Sequence, residues 1–372
     1  MNQLYKSKNA QSPSEAGGML KRIQSLSPPR HLQHCKWMLQ MSQHAVEIWK
    51  KDFLSELDPK AKLSHCGRDF FELMSDLPLN HKQLLDTGLP RWICPIEHRW
   101  PAQPNAIDFV ERAAQGLIKK FGTTAESIVV VSPTPELRKV AAHVRARLRQ
   151  IFTDQVGTPP LHLLKGTTLN VLIYKKGVIA GVSVNKASTG SVFDAGLGFL
   201  RSKAESTQIS RAAGKITEVL GFLRCANIDC KSLDNWLELG AAPGGMTHAL
   251  VQAGAKVTAV DLADMEPALL EHPNVTHLRI HADAISSASS YSALLSDMNG
   301  PYESAISIVS RLIRTLSTGS LIVHTLKVQD FKTIKIALDT AKSAFIQSGA
   351  QVVFIRHLFH NRKELTLIAV RS

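Results

Sequence analysis

The chain is 372 residues long, too long for one ordinary domain, so two or three are expected. Hydrophobic residues make up 44%, enough for packed cores, and no apolar run approaches the ~20 residues of a membrane span. Lysine and arginine number 44 against 31 acids, a net charge of +13, which points to a polyanionic partner because neutralising phosphates releases counterions. The five cysteines, Cys35, Cys66, Cys94, Cys225 and Cys230, are odd in number and scattered. That suits free thiols in a reducing, cytoplasmic setting. The spacing of these cysteines to His34, His65 and His98 matches no known ligand pattern, so no metal site is expected.

Residues 1–30 are polar, rich in Ser, Pro, Lys and Gly, and close on Ser27-Pro28-Pro29. They predict a disordered tail. Their basic excess also allows a targeting segment, although no amphipathic arginine-rich helix supports it. From Met41 to Leu57 the apolar residues Met41, Ala45, Ile48, Trp49, Phe53 and Leu57 follow helical spacing. Phe70 to Leu77 and Arg91 to Ile96 read as short strands, so residues 31–100 predict a small α+β unit. Trp92 and Trp100 suit core packing better than stacking on bases.

Residues 101–200 are expected to form a second unit with its linker. Asn105 is a plausible N-cap for a helix carrying Ile107, Val110, Ala114, Leu117, Ile118 and Phe121. Ser127 to Val131 is β-branched and predicts a strand. A helix from Pro135 follows, with Leu137, Val140, Ala141, Val144, Leu148 and Ile151 on one face. Its other positions, Arg138, Lys139, Arg145 and Arg149 among them, are almost uniformly basic, which suits either a solvated face or an RNA-facing one. Leu169 to Tyr174 and Val178 to Val184 predict strands joined by a turn at Lys175-Lys176-Gly177. Helix, strand, basic helix and hairpin resemble the element order of THUMP-like RNA-binding domains. The run IVVVSPTPELRKVAAHVRARLRQIF resembles the corresponding segment of RlmM-type rRNA methyltransferases. The segment Gly190 to Thr207 would then be the link to the next domain.

Residues 201–372 are organised around Asn235 to Met265. Trp236 to Leu239 reads as a buried strand and is followed by Gly240-Ala241-Ala242-Pro243-Gly244-Gly245. Met246, Ala249, Leu250 and Ala253 then have helical spacing, and a second strand, Lys256 to Val260, ends on Asp261. Strand, glycine turn, helix and strand with a terminal carboxylate define the nucleotide-binding half of a doubly wound, mostly parallel α/β sheet of Rossmann type. Small residues let backbone approach a ligand, and Asp261 can hold ribose hydroxyls. A dinucleotide turn wants GxGxxG; here Ala242 replaces the second glycine and Pro243 stiffens the turn, which fits a ligand without a pyrophosphate. Further strands are expected over Val275 to Ile280, Tyr291 to Leu295, Leu321 to Lys327, Gln351 to Leu358 and Leu365 to Val370. A helix is expected from about Glu303 to Leu316.

The form GAxPGG resembles motif I of S-adenosylmethionine-dependent methyltransferases, and most of all that of the FtsJ family. Several other stretches join it: SRAAGKITE (210–218) resembles SRAxxKLxE, SDMNGP (296–301) resembles SDMxP, and LIVHTLK (321–327) resembles the family's LxxGGxFVxKxK strand. RHLFHNRKELTLIAV (356–370) is close to the C-terminal signature of RlmM-type enzymes. The resemblance implies a Lys-Asp-Lys-Glu tetrad at Lys215, Asp297, Lys327 and Glu364. It also implies S-adenosylmethionine as cofactor, bound by Gly240, Ala242, Pro243, Gly244, Gly245, Asp261, Asp283 and Asp297, with Asp283 reaching the adenine amino group. Two departures stand out: Glu238 replaces a more usual aspartate, and Ser320 replaces one glycine of a pair. The implied chemistry is methylation of a ribose 2′-hydroxyl on large-subunit rRNA, with cytidine as acceptor. Lys327 would be the base, its pKa lowered by Lys215 and burial, with Asp297 and Glu364 orienting the two ammoniums. RNA, and neither DNA nor membrane, is the expected partner. A catalytically inactive RNA-binding or ribosome-assembly factor that keeps the fold is the competing reading. A base N-methyltransferase would want a [DNS]PP[YFW] motif where this chain has SDMNGP.

Overall fold

The computed structural model describes residues 18–22, 33–100, 107–122, 125–156, 167–184, 212–228 and 233–372. Asn105, the segment Gly190 to Thr207, Ser210 and Arg211 lie outside the described residues. The chain divides into two compact units, one of Leu26–Glu205 and one of Ser206–Ser372 together with Met1–Ser25.

In the first unit, β1 (Gln33–Gln40), β2 (Lys62–Gly67), β3 (Phe70–Asn80) and β4 (Trp92–Pro95) form an antiparallel sheet in the order β2-β3-β1-β4. The helix predicted from Met41 begins at Gln43 as α1 (Gln43–Trp49) and continues through a π-helical turn to Leu57. A short α2 (His81–Leu85) is closed by a capping box between Asn80 and Gln83. A second sheet has the order β5-β8-β7-β6, from β5 (His98–Trp100), β6 (Ser127–Val131), β7 (Thr167–Tyr174) and β8 (Gly177–Val184). The turn at Lys175-Lys176-Gly177 is found where expected, with Gly177 at φ 128°. Helices α3 (Ile107–Phe121) and α4 (Arg138–Val156) cover one face, burying Leu117, Val144, Leu148 and Leu169. Met38, Phe70 and Trp92 of the first sheet share a core with Val129, Leu172 and Ile179 of the second. Residues on either side of position 100 are thus packed as one body, and β5 itself is paired with β8. Trp92 is a core residue, T-shaped against Phe70, and Trp100 is partly buried against α3. The expectation of packing over stacking holds for both.

On α4, Arg138 and Lys139 are exposed, whereas Arg145 and Arg149 are half-buried. Arg147 is held by Glu111 of α3, with Nε donating to Oε2 at 2.6 Å. The basic face is therefore less uniformly available than its sequence suggests.

The second unit holds a seven-stranded sheet in the order β11-β10-β9-β12-β13-β15-β14. Its strands are β9 (Asn235–Leu239), β10 (Lys256–Val260), β11 (Val275–Leu278), β12 (Ala293–Ser296), β13 (Leu321–Lys327), β14 (Ala350–Arg356) and β15 (Glu364–Arg371). β9 to β13 are mutually parallel, and β15 runs antiparallel between β13 and β14. Trp236, Leu237 and Leu239 are all 0% exposed, as a strand covered on both faces requires. Flanking helices are α5 (Ala212–Cys225), α6 (Gly245–Gln252), the short α7 (Pro267–Leu270), α8 (Tyr302–Ile313) and α9 (Ile334–Gln347). The Rossmann-type reading of this half is correct. Strand order reverses between β9 and β12, the point where such sheets bind ligands.

One expectation fails at the start of the chain. Residues 18–22, placed in a disordered tail, are helical: Met19 is buried at 8% exposure, and Arg22 Nη1 donates to the Asn227 carbonyl at 3.3 Å. An apolar methionine with somewhere to dock outweighs the polar composition around it.

Candidate active site

The carboxyl end of β9 turns through Gly240 and Gly244, at φ 78° and 107°. A Cβ at Gly240 would lie 2.8 Å from Met298 Cα and 2.9 Å from Met298 N, so only glycine lets the two strand ends approach. Asp261, at the tip of β10, accepts Ala242 N–H at 3.0 Å and Ala263 N–H at 2.9 Å. Its carboxylate therefore shapes the turn. A cavity of about 250 Å³ opens beside it, lined by Ala212, Glu238, Gly240, Ala241, Ala242, Pro243, Gly245, Met246 and Asp297. Five of the expected cofactor residues are in this wall: Gly240, Ala242, Pro243, Gly245 and Asp297. Gly244, Asp261 and Asp283 stand outside it. Asp283 is mostly exposed and sits 3.0 Å from His281 Nδ1.

Glu238 is the wall residue whose weight the sequence understated. It is buried, and Thr247 Oγ1 donates to its Oε2 at 2.7 Å. Burial, with the nearby charges of Asp297 and Asp261, pushes its carboxyl up to about 8.

Four titratable side chains from four elements meet at the other side of Asp297. Lys215 projects from α5, with Nζ 3.1 Å from Asp297 Oδ1 and 2.6 Å from Glu364 Oε1. Lys327 ends β13, with Nζ 3.2 Å from that same Asp297 oxygen and 3.0 Å from Asn299 Oδ1. Lys327 Nζ also donates to the Asp297 carbonyl. Glu364 opens β15 and lies in register opposite Lys327, because the antiparallel strand enters the sheet where β13 leaves it. Lys215 and Asp297 are 10% and 11% exposed at the side chain, Glu364 16% and Lys327 20%. The structure thus brings together Lys215, Asp297, Lys327 and Glu364. Asn299 was not singled out from sequence; its place two residues after Asp297, on the loop that faces Lys327, is the signal that could have found it.

A doubly wound sheet with a cavity at its switch point belongs to the nucleotide-binding α/β class, and here a lysine pair sharing one carboxylate stands beside that cavity. Residues 208–370, somewhat less than half of the chain, match the FtsJ-like methyltransferase family. The chain is 28% identical over 165 residues to Ribosomal RNA large subunit methyltransferase M of Halorhodospira halophila, covering 44% of this chain and 47% of that one. It is 27% identical over 202 residues to the protein of the same name from Marinomonas, covering 51% and 56%. With that from Alkalilimnicola ehrlichii it shares 33% over 147 residues, 38% of each. The match therefore spans roughly half, or less, of these relatives' own length.

Proposed function

We propose that the chain is an S-adenosylmethionine-dependent RNA methyltransferase that modifies a ribose 2′-hydroxyl of large-subunit rRNA, with cytidine as the acceptor nucleotide. The observation that carries this reading is one carboxylate oxygen, Asp297 Oδ1, shared by Lys215 and Lys327 at the wall of the cavity. A 2′-hydroxyl is a poor nucleophile at neutral pH and needs an aligned acceptor for its proton. Lys327 takes that proton in its amine form, aimed by Asn299 and by the Asp297 carbonyl. Lys215, gripped between Asp297 and Glu364, positions the ribose. When bound, S-adenosylmethionine supplies the electrophilic methyl group.

The cavity suits that cofactor chemically. Glu238 and Asp297 put two carboxyl groups on its wall, a match for a ligand carrying sulfonium and ammonium charges, and the glycine turn leaves backbone open to it. In this reading Asp261 holds ribose hydroxyls with the lone pairs its backbone contacts leave, and Asp283 reaches the adenine amino group. The tetrad's low exposure keeps water from the reacting atoms, so the site works by alignment and exclusion. The first unit is a THUMP-like RNA-binding region, with Arg138, Lys139, Arg145 and Arg149 meeting phosphates.

The test is transfer of tritiated methyl groups to deproteinised rRNA and to assembled subunits, followed by mapping of the modified nucleotide. Label on a ribose supports the proposal. Label on bases, or cofactor-free RNA binding without transfer, replaces it with a base methyltransferase or an assembly factor.

A further inference from the structure

The loop joining β14 to β15, residues 357–363, sorts its side chains by burial. His357, Leu358 and Asn361 are 0%, 0% and 3% exposed. His360, Arg362 and Lys363 are exposed. The inward set is tied down: His357 Nε2 lies 3.1 Å from the Arg362 carbonyl, and Asn361 Nδ2 donates to Thr366 Oγ1 at 3.1 Å. From α5, Glu218 Oε2 accepts the Phe359 N–H at 3.0 Å and sits 3.9 Å from His360 Nδ1. The His360 ring lies so close to Gly214 that any side chain there would displace it. The loop is therefore anchored on the same helix that carries Lys215, one turn along from it.

Its outer face carries three basic side chains, and the loop itself has no carboxylate. Neither Arg362 nor Lys363 has an ion-pair partner among the described residues. The tetrad beside them is internally paired and offers them nothing. Glu364 follows directly, and a chain advances at most ~3.6 Å per residue, so both cations are rooted within roughly 7 Å of the catalytic cluster. That is about the spacing of one phosphate to the next along an RNA strand, and an arginine fork matches phosphate geometry.

We infer that the 357–363 loop is a phosphate clamp: Arg362 and Lys363 grip the RNA backbone beside the nucleotide whose ribose faces Lys327. Glu218 and Gly214 hold the clamp in place and are positioning residues. The inference rests on the RNA-substrate reading above and deepens it, by assigning the flanking phosphates to this loop instead of to the first unit alone.

The test uses the full chain, a short fluorescein-labelled single-stranded RNA of mixed sequence, and S-adenosylhomocysteine as a cofactor-site probe. The Arg362→Gln, Lys363→Gln double variant should bind the RNA about 20-fold more weakly at about 0.1 M salt, with the slope of log affinity against log salt shallower by about 1.4. Binding of S-adenosylhomocysteine should be unchanged. Glu218→Ala should reproduce the loss of RNA affinity, and Glu218→Gln, which can still accept the Phe359 N–H, should restore it. An unchanged salt slope in the double variant, with wild-type binding intact, overturns the clamp alone. Failure of the wild-type chain to bind the RNA overturns the RNA-substrate reading and the clamp with it.

Discussion

Glu238 offers a quantitative handle on the cavity. Its carboxyl stays protonated up to about pH 8 in the folded chain, against an ordinary value of 4.5. Between those limits the folded state binds the extra proton, so stability must fall as pH rises through that window. A shift of this size corresponds to about 5 kcal/mol lost between the low and high ends, at about 1.4 kcal/mol per pH unit. Glu238→Gln keeps an acceptor for Thr247 and removes the titration. Urea unfolding of both proteins from about pH 5 to 8 should show the variant gaining on the wild type with each step upward. Parallel curves would refute the burial argument. A second readout follows from the proposed cofactor: a cationic ligand beside Glu238 favours its ionised form, so S-adenosylmethionine binding near neutral pH should release a proton. Calorimetry in buffers of different ionisation enthalpy detects that release, and the glutamine variant should lack it.

Lys327→Ala should lower methyl transfer by at least about 100-fold, the usual worth of a general base, while cofactor binding measured by calorimetry stays nearly intact; full activity would remove Lys327 from that role. Gly240→Ala places a Cβ against the Met298 backbone at φ 78° and should cost about 2–3 kcal/mol in unfolding experiments, with cofactor affinity falling too because the turn must move. His324 is buried on β13 with no hydrogen-bond partner on either ring nitrogen among the described residues, and burial lowers it to about 4. Its folded state resists protonation, so stability present above about pH 6.5 drains away toward pH 4, by up to about 3 kcal/mol. His324→Leu should flatten that acid limb in a denaturation series.

The candidate site was legible because its residues sit at the ends of regular elements. Lys327 closes a strand, Glu364 opens one, and Asp297 follows a third, so position along the chain translated directly into position at one sheet edge. What the residues could not show was sharing: that both lysines meet a single oxygen is a fact of side-chain geometry. Asp261 was legible as a strand-end carboxylate, but its bond to Ala242 N–H depends on how the turn folds back. In the first unit, β1, β2 and β5 are not among the expected strands. The amino-terminal half of β1 is largely exposed and the other half buried, so its pattern has no period of two; β5 is three residues long. Helix α9 is not among the expected elements, although Ile334, Ala337, Leu338, Ala341 and Phe345 are buried at helical spacing.

The reversed strand β15 has a further consequence. The strands and turn that make the cofactor cavity are neighbours in sequence, apart from Asp297 and the tip of α5. The proposed acceptor machinery instead needs Lys215 from before the sheet and Glu364 from its last strand, brought together because β15 lies between β13 and β14. In the proposed reading, methyl-donor capture and methyl delivery therefore draw on different parts of the chain. Damage to the segment between Lys327 and Glu364 should leave a protein that still captures the donor but delivers nothing, a separation that a folding defect or a single insertion could produce.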